Sequence, residues 1–198
     1  MDVVVAGDTA TAIGLLDEFP RLATESATRG ATRQSSGENF LGAIGHYIYA
    51  GDTALHIAAA ALQAPIVHEL IARGAQVGAR NRRGAQPLHY AVDGGPGAPV
   101  WDPDAQVTII AALVLAGADP NAIDTSGVAP LHRAVRNRTA AAVRALIEAG
   151  ADPRLPNRTG STPMLLARLT TGKSGSGSPA AKQQQLEILR ILDVYDGR

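Results

Sequence analysis

Apolar residues fall along this chain in a two-part rhythm. Leu55/Ala58, Leu88/Ala91 and Leu131/Ala134 each mark a short amphipathic stretch. Behind each comes a longer stretch with apolar residues at i, i+3 and i+4: Val67/Leu70/Ile71, Ile110/Leu113/Val114 and Val143/Leu146/Ile147. That spacing predicts a short helix followed by a longer one, three times over, each burying one face. Polar turns punctuate the helices. Gly51-Asp52-Thr53-Ala54-Leu55-His56-Ile57-Ala58 returns as Gly84-Ala85-Gln86-Pro87-Leu88-His89-Tyr90-Ala91 and as Gly127-Val128-Ala129-Pro130-Leu131-His132-Arg133-Ala134. A fainter copy starts at Gly160, and the leading glycines are 33, 43 and 33 residues apart. Repeats of this length build a stack of supersecondary units rather than one globular core.

The parts of each unit have local physical roles. Thr53 and Thr162 sit where an N-cap hydroxyl is useful, and Pro87, Pro130 and Pro163 fill the first helical position, where no N–H is needed. Gln86 and Ala129 stand in the cap position of the middle units, which predicts weaker helix starts there. Gly74, Gly117 and Gly150 fall where a left-handed C-terminal cap belongs.

The Gly-x-Thr-Pro-Leu-His-x-Ala pattern, the period and the Gly-Ala-Asp at 117–119 and 150–152 resemble ankyrin repeats, of bacterial type. The resemblance covers about residues 48–170. It implies an all-α solenoid of stacked helix-turn-helix units with protruding turns, whose turn tips and first helices hold a macromolecular partner. Ala54 in place of proline, Gln76 in place of the turn aspartate and Leu165 in place of a fourth histidine depart from the pattern. The implied order is a partial capping repeat at 3–22, a loop and docking segment at 23–47, and full repeats at 48–80, 81–123, 124–156 and 157–196. Within 3–22, Ile13, Leu15, Leu16 and Phe19 give the helical apolar face, and Pro20 ends it. Residues 23–39 lack periodicity and read as a surface loop. Two insertions lengthen alternate repeats, at 94–103 and 171–181. The first, with the single Trp and three prolines, reads as ordered, and the second as a Gly/Ser tract.

Composition narrows the functions. Net charge is zero across 18 basic and 18 acidic residues, which argues against non-specific attraction to nucleic acid or to an anionic membrane. The basic residues are almost all Arg, the side chain suited to planar recognition of carboxylates. There is no cysteine, hence no thiolate metal site or cysteine nucleophile. No secretory leader or apolar run of spanning length is evident, so a cytoplasmic monomer is the expectation, with end-to-end association open through the apolar last helix.

The candidate chemistry is that of binding. His56, His89 and His132 repeat in register, but stacked helices lie about 8–10 Å apart, too far for one metal ion to hold all three. The resemblance assigns them hydrogen bonds to backbone near the turns. Neither a metal nor a cofactor is expected. Gly172-Lys173-Ser174 lacks the earlier glycine of a phosphate-binding loop, having Ala167 there. The resemblance implies partner contact at Tyr49, Asp52, Arg82, Arg83, Tyr90, Asp93, Thr125, Ser126, Arg133, Arg136 and Arg158, and the arginines make an acidic protein segment the expected complement. A second grouping, Tyr90, Asp93, Trp101 and Asp102, would suit a small ligand or acid–base chemistry, although Asp102-Pro103-Asp104 also reads as a helix cap. His46 and His68 read as isolated surface residues. No nucleophile–base pair can be located, so a protein-binding module is the leading reading over an enzyme.

Overall fold

The computed structural model describes residues 1–32, 34–35, 37–169 and 178–195. Among the described residues, ten α-helices lie in two rows. The inner row is α1 (Asp2–Ala6), α3 (Ala54–Ala60), α5 (Pro87–Tyr90), α7 (Pro130–Asn137) and α9 (Pro163–Leu169). The outer row is α2 (Thr9–Glu18), α4 (Ala64–Ala72), α6 (Pro103–Leu115), α8 (Ala140–Glu148) and α10 (Pro179–Asp193). Each inner helix packs on the next inner helix, each outer helix on the next outer one, and the two helices of a unit on each other. This is an all-α repeat solenoid. Its core is a continuous seam of small and branched residues, among them Leu55, Leu70, Leu88, Ile110, Leu113, Leu131, Leu146 and Ile188, each at most 1% exposed.

The turns between units form a second ladder along one edge. The Gly51 N–H donates to the Ala27 carbonyl at 2.7 Å, Arg82 to Ala50 at 2.8 Å, Thr125 to Arg83 at 2.9 Å and Arg158 to Ser126 at 3.0 Å. Glycine is required at the crossing points. At Gly127 the backbone is left-handed (φ 72°), and a Cβ there would stand 2.7 Å from the Arg158 backbone nitrogen. The first rung belongs to the segment read as a loop. Ala23 and Ala31 are buried, Ser26 bridges to Thr53, and the Ala31 N–H reaches the Ile48 carbonyl. Backbone pairing with 48–53, which leaves no trace in hydrophobic periodicity, holds residues 26–31.

After this segment, β1 (Phe40–Leu41) pairs antiparallel with β2 (His46–Tyr47), with Phe40 opposite Tyr47. Leu41, Ile44 and Ile48 pack on the core, whereas Phe40 and Tyr47 are exposed. At the N-terminus, Ala12 and Leu16 are the buried residues of α2, while Leu15 and Phe19 of the expected apolar face point outward. The helix starts at Gln86 and Ala129 hold the same bond as that at Thr53. In all three units the cap residue's N–H donates to the Nδ1 of the histidine three residues on, at 3.1 Å. The His89 and His132 N–H groups, which a cap side chain would take, go instead to the Gln86 and Ala129 carbonyls at 2.9 and 3.0 Å.

Insertion 94–103 folds back on the stack. Asp102 caps α6 by accepting from the N–H groups of Asp104 and Ala105, both at 3.0 Å. Gln106 Nε2 ties the Ala91 and Gly94 carbonyls. Gly95 is buried against the end of α7, where a Cβ would lie 2.2 Å from the Asn137 carbonyl oxygen. Gly95→Ala should therefore push the insertion off α7 and cost about 1–3 kcal/mol, as overpacking against fixed backbone does. Thermal unfolding of the variant checks this, and an unchanged midpoint would show that the contact is not needed. The core of the second insertion, residues 170–177 with Gly172-Lys173-Ser174, lies outside the described residues.

Candidate functional site on the concave face

Between the turn ladder and the inner helices lies a polar depression of about 520 Å³, running from His46 and Tyr49 at one end to Asn157 and Thr159 at the other. One repeat position shapes it. The residue after the in-register histidine is Ile57 in the first full unit, Tyr90 in the second and Arg133 in the third. Tyr90 and Arg133 both reach back towards the preceding unit.

Tyr90 is 1% exposed. Its hydroxyl donates to both carboxylate oxygens of Asp52, at 2.8 and 2.9 Å, and accepts from Asn81 Nδ2 at 2.8 Å. Asp52, with no exposed surface, also accepts from Asn81 Nδ2 at 2.9 Å and from the Tyr49 N–H at 2.6 Å. Burial, reinforced by the Asp52 charge, raises the Tyr90 phenol above its ordinary range. Tyr90 and Asp52 were expected at a partner contact, yet their polar atoms are spent on each other. They hold successive turns in register instead.

Arg133 bridges two carboxylates. Nη1 binds both oxygens of Asp93, at 3.1 and 3.0 Å, and Nη2 binds Asp124 at 3.2 Å. The side chain is 17% exposed. Burial raises the Asp124 carboxyl, but the N–H groups of Val128 and Ser126 and the Arg133 guanidinium together hold it below the usual range. Arg133 is therefore a neutralised strut and not a free cation. His46, expected as an isolated surface residue, lies edge-on to Tyr90 with ring centroids 4.3 Å apart, and its Nδ1 is 3.9 Å from Asp93. Burial pushes its imidazole below the ordinary range; Asp93 and Asp52 oppose that and Arg133 adds to it. The strand alternation that turns Tyr47 outward turns His46 inward.

The in-register histidines are structural in geometry. Their Nε2–H groups donate across to the next unit, His56 to the Ala85 carbonyl at 3.2 Å, His89 to Val128 at 3.0 Å and His132 to Ser161 at 3.1 Å. With Nδ1 accepting from the cap N–H, the neutral Nε2–H tautomer is the form that satisfies both bonds. Among the described residues no group of three or more His, Cys, Asp or Glu converges as a metal site would require.

The remaining expected contacts divide cleanly. Tyr49, Arg83, Asp93, Ser126 and Arg136 line the depression, while Arg82, Thr125 and Arg158 are exposed at the turn tips. Arg83 donates to the Tyr49 hydroxyl at 2.9 Å, and Arg82 donates to the Ala31 carbonyl. Trp101 and Asp102 do not join Tyr90 and Asp93 in lining the depression. Asp102 is exposed and caps α6, and the half-buried Trp101 has an enclosed Nε1 with no hydrogen bond among the described residues. Asn81, Asp124, Asn137, Asn157 and Thr159 also belong to the depression and were not singled out by sequence reasoning. A signal existed for three of them. Asn81, Asp124 and Asn157 each stand three residues before a turn glycine. Each side chain accepts two backbone N–H groups of its own turn: Arg83 and Ala85, Ser126 and Val128, Thr159 and Ser161.

Comparison with protein families agrees with this architecture. A family model described as ankyrin repeat matches residues 50–82, and one described as ankyrin repeats (many copies) matches residues 113–167. The chain is an ankyrin-repeat protein, and ankyrin repeats are in general protein–protein interaction modules. No curated protein matches the chain. Residues 83–112, between the matched segments, carry Arg83, Tyr90, Asp93 and the first insertion. No helix among the described residues is long and apolar enough to cross a membrane.

Proposed function

We propose that this chain binds a protein partner through its concave face, and that the partner presents an acidic segment there. The observation that carries this reading is the charge balance of the depression. The two carboxylates that line it, Asp93 and Asp124, are both taken up by Arg133. Arg83 and Arg136 remain exposed with no ion pair among the described residues, and Arg158 stands beyond them at the next turn tip. Ser126, Asn157 and Thr159 add hydrogen-bonding groups along the same floor. The stacked turns preorganise these side chains, so little ordering is left to be lost on association. Arginine in such a setting offers two parallel N–H donors to a carboxylate, which gives direction as well as attraction. The chain then acts as a monomeric cytoplasmic adaptor, with repeats 48–80 to 157–196 forming one binding body.

Peptide-display selection on the wild-type chain should enrich Asp- and Glu-rich sequences. Their binding, followed by fluorescence anisotropy, should weaken about tenfold or more in R83E/R136E, since rim and groove charges govern such encounters, and should not change in Arg21→Glu. Enrichment without acidic bias, or equal binding to wild type and the double variant, would overturn the assignment.

A further inference from the structure

The depression does not stop at Tyr49. Alternation along 46–48 turns His46 and Ile48 inward and Tyr47 outward, the pairing with β1 places Phe40 beside Tyr47, and Tyr49 follows, half-buried against the core at the rim of the depression. Three aromatic rings therefore run in a row over a two-stranded patch: Phe40 to Tyr47 at 4.8 Å and Tyr47 to Tyr49 at 6.5 Å between centroids, each pair tilted by 46°. Phe40 is 44% and Tyr47 37% exposed, a large apolar area for surface rings. The Tyr49 end of the row is cationic, with the guanidinium carbons of Arg82 and Arg83 at 5.5 and 5.0 Å from the Tyr49 ring. Tyr49 and Arg83 also line the depression, so the ring row and the arginine-rimmed floor are one continuous surface.

We infer that this aromatic row is the second half of the docking surface, and that it takes proline residues flanking the acidic segment of the partner. This rests on the concave-face reading above. A polyproline II segment repeats every three residues, about 9 Å, within the combined reach of the 4.8 and 6.5 Å ring-to-ring steps. Tilted aromatic rings are the surface on which such segments dock. Proline is also the side chain that gives up least freedom on being ordered against a rigid patch. The arginines at the Tyr49 end put a carboxylate next to the first proline, so the partner motif is an acidic residue adjoining Pro-x-x-Pro. Stacked aromatic and Arg side chains also suit single-stranded nucleic acid, but the chain has zero net charge and Asp93 and Asp124 line the adjoining floor, which disfavours a polyphosphate.

The test uses four probes on the full chain: a synthetic peptide with three glutamates followed by Pro-Ala-Ser-Pro, the same peptide with both prolines changed to alanine, the same peptide with the glutamates changed to glutamine, and a pyrimidine-rich DNA strand. Affinities are compared for wild type, F40A/Y47A and R83E/R136E, with circular dichroism confirming that each is folded. Expected is tightest binding of the first peptide, with loss of the prolines or F40A/Y47A each weakening it about tenfold and R83E/R136E weakening both glutamate peptides. If the two glutamate peptides bind alike and F40A/Y47A changes nothing while R83E/R136E still does, the aromatic proposal falls and the concave-face reading stands. If R83E/R136E is without effect, both fall. Tighter binding of the DNA than of any peptide, lost in F40A/Y47A, would overturn the peptide assignment in favour of a nucleic-acid platform.

Discussion

Lowering the pH from 7.5 to 5.5 is expected to strip about 1.4 kcal/mol from the folding free energy of this chain through His89 alone, with His56 and His132 acting in the same direction. Burial depresses the imidazoles of His56, His89 and His132, in the case of His89 to about 3. In the unfolded chain the same groups titrate near about 6.5. A histidine whose folded value lies below its unfolded value binds more protons when unfolded, so its contribution is complete above about pH 6.5 and drains as pH falls towards the folded value. Each such histidine removes up to about 1.4 kcal/mol per pH unit within that window. The structural reason is that protonation would turn Nδ1 from acceptor into donor facing the cap N–H, breaking the bond that starts each inner helix. Urea unfolding at pH 7.5, 6.5 and 5.5 measures the slope. A flat profile across this range would contradict the assignment. His89→Gln should be less stable than wild type at pH 7.5 but lose less on acidification.

Removing the hydroxyl of Tyr90 should cost about 1.5–3 kcal/mol, the range for a hydrogen bond to a charged group in a buried setting. Tyr90→Phe leaves the Asp52 carboxylate short of a donor and Asn81 Nδ2 short of an acceptor, with no exposed surface on Asp52 through which water could substitute. Asp52→Ala should cost more, about 3 kcal/mol or above, because the Tyr49 N–H, Asn81 and Tyr90 all lose their shared acceptor at once. The double variant should fall well short of the sum of the two, since both remove one network. Chemical denaturation of the three variants provides the cycle. Strict additivity, or a Tyr90→Phe loss below about 0.5 kcal/mol, would mean the triad does not hold the two turns together.

How much of this was legible beforehand depends on the range of the interaction. The helix pairs, the turn glycines and the histidine register rest on short spacings that repeat, and a repeat reports its own period. The docking of 26–31 onto 48–53 rests on backbone groups, whose pairing is independent of side-chain pattern. The bonds that Tyr90 and Arg133 make within the fold were hidden for another reason. An exposed-looking polar residue on a first helix can reach outward or back into the previous unit, and only the placement of Asp52 and Asp93 decides which. The grouping of Trp101 and Asp102 with Tyr90 and Asp93 failed because adjacency in a loop says little about where the loop's backbone turns. Asn81, Asp124 and Asn157 went unremarked although each stands three residues before a turn glycine, at Gly84, Gly127 and Gly160.

By itself the sequence determined that this chain is a stack of ankyrin repeats, with paired helices between turn glycines and histidines in a fixed register. These are nearest-neighbour properties, specified by residues a few positions apart and repeated until the pattern is unmistakable. Tertiary structure decided the rest: that Arg133 is neutralised and Arg136 is not, that Asp52 and Tyr90 lock two turns together, and that the Phe40, Tyr47 and Tyr49 rings continue the concave floor. Charge and hydrogen-bonding capacity belong to residues, but whether they remain free for a partner depends on what stands within about 3 Å of them, and in this chain those neighbours come mostly from other repeats.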